Sequence, residues 1–262
     1  MDASLAVHER MRKHITPLAK GIKVRDVRMG LSYTGVLLEN GQVGVALTSH
    51  KRRKRRCAPF EGLHPLAGRE ARDLLPLLAS RDPIEMAVAL ATVNALTNTM
   101  REDLLEGNVL DYVDIYTEDR VGMVGHFAPM LPRLKRKSSS VLIFEQIETK
   151  KGDLLPEKEA HSLLPQCQVA LITSSSIINH TIDNLLQSAR SCREVVLLGA
   201  STPLVPEVFA GLGVTYLSGV VVTRPREILQ IISEGGGMQS FRESVGKVNL
   251  RLGSERSDEK VF

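Results

Sequence analysis

Short aliphatic runs alternate with helical segments through the second half of this chain, and this pattern constrains the fold more than any other feature. Five runs, RVGMVG, SVLIFE, QVALIT, EVVLLG and VTYLSG, end at residues 125, 145, 173, 199 and 219. Parallel strands need a long crossover connection, usually a helix, so the alternation predicts βαβ units. We therefore expect an α/β domain over residues 118–262, with a parallel sheet and helices on both faces.

The first half of the chain follows another pattern. Apolar residues recur at helical spacing over residues 5–18, which predicts an amphipathic helix that ends near Gly21. Alternating residues flank Asn40-Gly41, a dipeptide that favours a tight hairpin turn because both residues tolerate positive φ. The segment HPLAGREARDLLPLL predicts a short helix. We expect a smaller α+β domain over residues 1–117, with a β-hairpin and a further strand before it.

A second helix of that domain is predicted to begin after Asp82. Asp82 suits the N-cap, Pro83 suits the first helical position, and Glu85 completes a capping box. Asn94 lies among small apolar residues near the end of this helix. Because a buried amide needs partners, Asn94 either makes a helix-end hydrogen bond, which we favour, or contacts a ligand.

Composition and charge exclude several classes of protein. Aromatic residues make up 4% with no Trp, so the core must be aliphatic. Three cysteines without a C-x-x-C motif favour free thiols in a reducing cytoplasm. No signal peptide or membrane-spanning apolar run is present. Much of the net charge of +4 comes from KRRKRR at residues 51–56. This run could bind nucleic acid, but it lacks aromatic residues for base stacking, so we favour a solvated loop.

The strand ends are the places to look for a site, because ligands of open α/β sheets bind beyond the carboxyl ends of the strands. Gly125 ends the first run and permits a tight turn, and His126 follows it as a candidate ligand contact. Glu145 ends the second run, twenty positions after Gly125, where a Rossmann-type domain often keeps an acid for a ribose hydroxyl. The glycine pattern is incomplete, which weakens the case for a dinucleotide. Glu145 could equally be a metal ligand or a surface carboxylate.

The third run leads into an unusually polar junction with a helix. One N-cap residue, such as Thr181, explains only part of it. Free N–H groups at a helix start suit an anion, and hydroxyls and an amide could orient it. The polar residues of this junction are Thr173, Ser174, Ser175, Ser176, Asn179, His180 and Thr181.

The fourth run ends in LLGASTPLVPEVF. Gly199 permits a sharp exit from the strand, and Ser201, Thr202 and Pro203 follow it. Two prolines in four residues, Pro203 and Pro206, predict a stiff loop that would preorganise a pocket beside the third strand. No nucleophile–base pair or known catalytic motif is present in the sequence, so whether the chain is an enzyme stays open.

Several motifs, taken in order, resemble one known family. In the second half these are VGMVGHFAPML, FEQ, ITSSSIINHTIDNLL, LLGASTPLVPEVF, LSGVVV and EGGG, and in the first half SYTGVLLENGQVGVAL and EMAVALATVNAL. They resemble the domains of unknown function labelled putative heavy-metal chelation. The chain departs from that family at Ser174-Ser175, where Gly-Thr is usual, at His180, where Gly is frequent, and at Ala200, where Pro is usual.

The resemblance implies a Rossmann-like domain preceded by an enolase-N-terminal-like α+β domain, with the site in the cleft between them. By motif it implies nine site residues, namely Asn94, Gly125, Glu145, Asn179, Thr181, Gly199, Ser201, Thr202 and Pro203. The residue pattern itself adds His126 and Thr173.

Three functions remain open from the sequence. The first, which we favour, is a protein or enzyme that binds a small ligand in the cleft, with a metal or a metal-bearing organic molecule as the implied cofactor. Because the strand ends supply mainly Ser, Thr and Asn, a bare metal is the weaker choice. The second is a nucleotide-binding enzyme with Glu145 on a ribose. The third is a binding module that uses the basic run; the chain could also form a homo-oligomer.

Overall fold

The computed structural model describes residues 4–49 and 59–253. The basic run at residues 51–56 and Cys57 lie outside the described residues, so the predictions for them stay predictions. No helix within the described ranges is long and apolar enough to cross a membrane.

A three-stranded antiparallel sheet forms the first half of the fold. Its strands are β1 (Val24–Met29), β2 (Tyr33–Leu38) and β3 (Val43–Leu47), in the order β1-β2-β3. The turn at Asn40-Gly41 joins β2 to β3, with Gly41 at a φ of 87°, which confirms the predicted hairpin and the further strand before it.

Two α-helices accompany this sheet, α1 (Val7–Ile15) and α2 (Pro83–Thr97). The Asp82 carboxylate accepts the backbone N–H of Ile84 at 2.8 Å, which confirms the predicted N-cap. The capping box is wrong, because the Glu85 carboxylate accepts from the Phe60 N–H and the Ser80 hydroxyl instead of from Asp82.

The predicted helix in HPLAGREARDLLPLL is also wrong. Two 3₁₀ segments, Ala71–Asp73 and Leu75–Ala79, occupy that region. Pro76 lacks a backbone N–H and therefore cannot donate to an α-helical hydrogen bond here.

An eight-stranded, mostly parallel sheet forms the second half. Its order is β4-β11-β10-β9-β8-β5-β6-β7. The five predicted runs correspond to β5, β6, β8, β9 and β10, whereas β4, β7 and β11 were not predicted. The bounds are β4 (Leu105–Glu106), β5 (Arg120–Val124), β6 (Ser140–Glu145), β7 (Leu154–Pro156), β8 (Val169–Thr173), β9 (Glu194–Leu198), β10 (Tyr216–Val222) and β11 (Val245–Arg251).

The six parallel strands have the order of a dinucleotide-binding Rossmann sheet. Numbered along the chain from β5 to β10, they lie as 6-5-4-1-2-3. The order reverses between β5 and β8, which are hydrogen-bonded neighbours. Ligands of such sheets bind at the carboxyl end of this switch point, so this place in the fold is the first candidate for a site.

Short helices lie between the strands of the large sheet, at α3 (Leu131–Lys137), α4 (Ala160–Leu163), α5 (Ser175–Ile178), α6 (Ile182–Ser188), α7 (Pro206–Phe209) and α8 (Pro225–Ser233). The last of these, α8, precedes the antiparallel strand β11. The single helix predicted after the third run is therefore two. His180 separates them at a φ of 56°, a left-handed conformation that favours glycine. Thr181 precedes α6 but makes no side-chain cap bond, which corrects the predicted capping role.

One continuous hydrophobic core joins the two sheets. It includes Val36 of β2 and Leu90 of α2 together with Ile172 of β8 and Leu197 of β9. Gly44 lets β3 approach α2 closely, since a Cβ there would lie 2.1 Å from the backbone N of Ala95. The small sheet is thus held firmly against the helical layer, with the end of β3 near the large sheet.

Candidate functional site

The switch point is tightly built around Gly125. This residue follows β5 with a φ of 89°, and its N–H donates to the Phe144 carbonyl at 2.8 Å. A Cβ at this position would lie 3.0 Å from the Cβ of Thr173, at the end of β8. Both the backbone conformation and the close approach therefore favour glycine here.

A cavity of about 510 Å³ opens beside Gly125, and we call it the polar pocket. Residues from β3 and its continuation form one side, and residues from the carboxyl ends of the parallel strands form the other. Its polar lining residues are Thr48, Ser49, His126, Glu145, Gln146, Glu157, Thr173, Ser175 and Asn179. The structure therefore brings five of the predicted residues together, namely Gly125, His126, Glu145, Thr173 and Asn179.

Some of the polar groups in this pocket are already bound locally. The Thr173 and Ser175 hydroxyls lie 3.0 Å apart, and the Ser176 hydroxyl donates to the Thr173 carbonyl at 2.6 Å. One Glu145 oxygen accepts the Gln146 N–H at 2.8 Å. Within residues 4–49 and 59–253, the side chains of His126, Glu157 and Asn179 have no hydrogen bond, so they are available to a ligand.

A second cavity of about 390 Å³ adjoins the first, and we call it the apolar pocket. Leu47, Phe127, Thr173 and Ser175 line both. Its other apolar lining residues include Tyr33, Val109, Met130, Leu198, Val220 and Met238. The two pockets together form one groove along the carboxyl ends of the parallel strands.

Ser201 joins the two sheets at this groove. Its side chain is 3% exposed, and its Oγ accepts the backbone N–H of Leu47 at 2.8 Å. Ser201 and Gly199, which has a φ of 127°, both line the apolar pocket. The loop after β9 therefore supplies one wall of the groove, as its two prolines suggested.

Asn98 stabilises the same loop and was missed by the sequence analysis. Its amide donates to the carbonyls of Thr202 at 2.9 Å and Val220 at 3.3 Å. Its Oδ1 accepts the Leu204 N–H at 2.9 Å and the Thr97 hydroxyl at 3.1 Å. An Asn after a helix resembles an ordinary cap, so the sequence carries no signal for this long-range role.

Four predicted residues lie outside both pockets. The Asn94 amide is 2% exposed and donates to the Val45 carbonyl at 2.8 Å, so it stabilises the edge of β3. Thr202 and Pro203 are buried beneath the loop. The Thr181 hydroxyl is buried without a hydrogen bond to any described residue.

The start of α6 is occupied by the chain itself. The Asp183 carboxylate accepts the N–H of Val7 at 2.8 Å, which places the start of α1 there. His180 Nε2 lies 2.8 Å from the Ser80 carbonyl, and its ring makes an edge contact with His8. Burial and the neighbouring His180 both lower the pKa of His8. The anion site at this helix start stays a prediction, and two side chains there, Asp183 and His180, already contact other parts of the chain.

The donor set does not suit a bare heavy-metal ion. Over the described ranges, no group of three or more His, Cys, Asp or Glu side chains is placed to hold a metal. Soft metals prefer thiolates, yet Cys167 and Cys192 are buried away from both pockets and donate to backbone carbonyls. Burial raises the pKa of Cys167 to about 11, which disfavours the thiolate.

Comparison with known proteins identifies the fold and the family. An uncharacterised protein of Methanocaldococcus jannaschii is 23% identical over 94% of this chain and 96% of its own length. Two crystal structures of DUF364 family proteins with unknown function are similar. The Pyrococcus horikoshii protein has a TM-score of 0.83, with 23% identity over 94% of this chain and all of that one. The Desulfitobacterium hafniense protein has a TM-score of 0.79, with 22% identity over 94% of this chain and 97% of that one.

Two family models match the chain, and both carry the description putative heavy-metal chelation. The DUF4213 model matches residues 12–97, and the DUF364 model matches residues 108–251, more than half of the chain. The chain therefore belongs to the DUF364 family, whose description is putative heavy-metal chelation.

Proposed function

We propose that this protein binds a small organic ligand, one that can carry a metal, in the groove between its two sheets. The observation that carries the proposal is the polar pocket at the switch point. There Asn179, His126 and Glu157 present unbonded polar groups next to Gly125, which keeps the floor of the pocket open. Pockets with a few convergent polar groups at switch points are the usual ligand sites of such sheets.

An organic ligand suits this pocket better than a bare ion. Hydroxyls and an amide bind weakly to soft metals but make directional hydrogen bonds to a ligand's periphery. The carboxylates Glu145 and Glu157 favour amine or hydroxyl groups on the ligand. A metal bound within such a molecule would reconcile the family description with the residues present. This proposal concerns binding and requires no bond to be made or broken.

A nucleotide is the second candidate, because the strand order favours it. Glu145 ends β6, the second strand of the Rossmann order, where an acid commonly binds a ribose hydroxyl. Two features disfavour a nucleotide. The helix after β5, α3, has only seven residues with a proline in its first turn, and the turn before it lacks the full glycine pattern. A thermal-shift panel of adenine nucleotides and S-adenosylmethionine tests it, and an unchanged melting temperature with every compound would exclude it.

The main proposal is tested by the mass that the protein retains. Native mass spectrometry of the protein purified without oxygen should show an excess mass that is lost on denaturation. The variants Asn179→Ala and Glu145→Gln should lose most of this excess, because both positions line the polar pocket. The control Asn184→Ala, an exposed amide on α6, should retain it. Equal retention by all four proteins would refute the site.

A further inference from the structure

The two halves of the groove differ in charge. Glu145 and Glu157 line the polar pocket, whereas the residues that line the apolar pocket include Lys247 and no Asp or Glu. A ligand that fills both halves would therefore meet acceptors at one end and donors at the other. This difference suggests that the apolar pocket has its own chemical preference.

The hydroxyls of Ser174, Ser201 and Tyr33 in the apolar pocket are available as donors. The Ser174 side chain is 1% exposed, lines the pocket and has no hydrogen bond to a described side chain or backbone group. The Ser201 Oγ accepts from Leu47, which leaves its own O–H free to donate. The Tyr33 hydroxyl likewise has no hydrogen-bond partner in the described part of the chain.

Tyr33 is fixed as a neutral donor. Burial raises the pKa of its phenol to about 12, so it keeps its proton at physiological pH. An edge contact with Phe241, with ring centroids 4.9 Å apart, holds the ring in place. A preorganised phenol, serine hydroxyls and a lysine suit an anionic oxygen. Beside apolar walls a carboxylate fits better than a phosphate, because its single charge costs less to desolvate.

We propose that the apolar pocket is a carboxylate subsite, so that the ligand of the groove is an organic acid with an apolar body. The acid end lies among Tyr33, Ser174, Ser201 and Lys247, and the body lies against Met130 and Met238. This inference rests on the proposed function, because it assigns the second half of the same groove.

Methyl NMR tests the subsite without knowledge of the natural ligand. Protein labelled with ¹³C at the methionine methyls would be titrated at pH 7.5 with hexanoate, hexanamide and hexylamine. Met130 and Met238 line the pocket, whereas Met11 and Met86 are buried in another core cluster and serve as internal controls. Hexanoate should shift only the first two signals, with a dissociation constant of about a millimolar. Hexanamide should bind about tenfold more weakly, and hexylamine should bind least.

Variants identify the groups that choose the acid. Tyr33→Phe removes one hydroxyl and keeps the ring, and Lys247→Met removes one charge and keeps the length. Each variant should lower the affinity for hexanoate about tenfold. Lys247→Met should leave the affinity for hexanamide nearly unchanged, because hexanamide carries no charge. The controls Tyr116→Phe and Lys20→Met are exposed residues outside the pocket and should behave as wild type.

Two results would overturn the inference. One is a set of Met130 and Met238 signals that do not respond to hexanoate, and the other is equal affinity for the acid, the amide and the amine. Neither result would contradict ligand binding in the polar pocket, which is tested separately by the mass that the Asn179→Ala variant retains. Conversely, loss of the proposed function would appear as unchanged retention in that variant, whatever hexanoate does.

Discussion

The backbone N–H of Leu47 donates to the Oγ of Ser201 at 2.8 Å, and this bond connects the last residue of β3 to the loop after β9. Leu47 lines both halves of the groove, and Ser201 lines one. The position of the small sheet over the large one is therefore coupled directly to the shape of the groove. Ser201, which the motif pattern predicted as a ligand contact, therefore also stabilises the contact between the two sheets through Leu47.

Ser201→Ala should destabilise the protein by about 1 to 3 kcal/mol. The change leaves the Leu47 N–H without its acceptor in a nearly buried position, and such an orphaned donor is costly. Urea unfolding monitored by circular dichroism measures this. Ser240→Ala, at an exposed serine whose hydroxyl has no hydrogen bond to a described residue, should change the free energy of unfolding by less than about 0.5 kcal/mol. Equal effects of the two substitutions would mean that the Leu47–Ser201 bond adds no stability.

Asn98→Ala should cost more, about 3 kcal/mol or above. The Asn98 side chain makes four hydrogen bonds. Without it, the buried N–H of Leu204 and the carbonyl of Thr202 lose their partner. Because these groups belong to the loop that carries Ser201, ligand retention should fall along with stability. Asn184→Ala provides the matched amide deletion on the surface. A change below 1 kcal/mol in Asn98→Ala would contradict the role of this residue as a clamp.

Gly125→Ala should impair both stability and binding. The substitution forces a side chain into a left-handed backbone, at about 1 to 2 kcal/mol, and places a methyl 3.0 Å from the Cβ of Thr173. Gly213→Ala is the control, since Gly213 has a φ of 79° and nothing within 4 Å of the added Cβ. Both variants should show the backbone cost, and only Gly125→Ala should lose the retained ligand. Full retention by Gly125→Ala would show that the switch point is not the site.

Tyr33 should make stability depend on alkaline pH. Its folded pKa of about 12 lies above the ordinary value of 10, so folding favours the protonated phenol. Its contribution is complete below pH 10 and declines as the pH rises toward 12. At pH 11 this loss is about 1.4 kcal/mol. Tyr33→Phe should therefore lose less stability between pH 8 and pH 11 than wild type does, in paired urea titrations. Parallel declines in the two proteins would indicate that Tyr33 is not buried as described.

The strand pattern predicted the parallel sheet because most of its strands pair with the next strand along the chain, and among the parallel pairs of the described residues only β5–β8, at the switch point, is distant in sequence. Strands β7 and β11 were missed for different reasons. The β7 strand has only three residues. The β11 strand follows α8 in sequence but pairs antiparallel with β10, so it is not part of a βαβ unit. The sequence predicted one helix in place of α5 and α6 because the apolar residues of both follow the same helical spacing. The turn that separates them depends on the positive φ of His180, which this spacing does not reveal.

The strand-end residues of the polar pocket could be predicted, whereas of the apolar pocket only the end of β8, which both pockets share, and the Gly199 to Ser201 wall could. Strand ends at a switch point converge by topology, so Gly125, Glu145 and Thr173 were accessible to sequence reasoning. The apolar pocket combines Tyr33 of the small sheet with Met238 and Lys247 from the far end of the chain. No local pattern relates such positions. Asn94 stays a predicted site residue whose amide donates to the Val45 carbonyl, because a buried amide has the same sequence signature whether it bonds a strand or a ligand.

One measurement tests most directly whether the groove holds an organic ligand, as we propose, rather than a bare metal. Native mass spectrometry and metal analysis would be made on the same sample, purified without oxygen. We expect an excess mass larger than that of any metal found, which is released on denaturation and absent from Asn179→Ala. A protein that retains a stoichiometric metal and no further mass, with Asn179→Ala unchanged, would contradict this proposal.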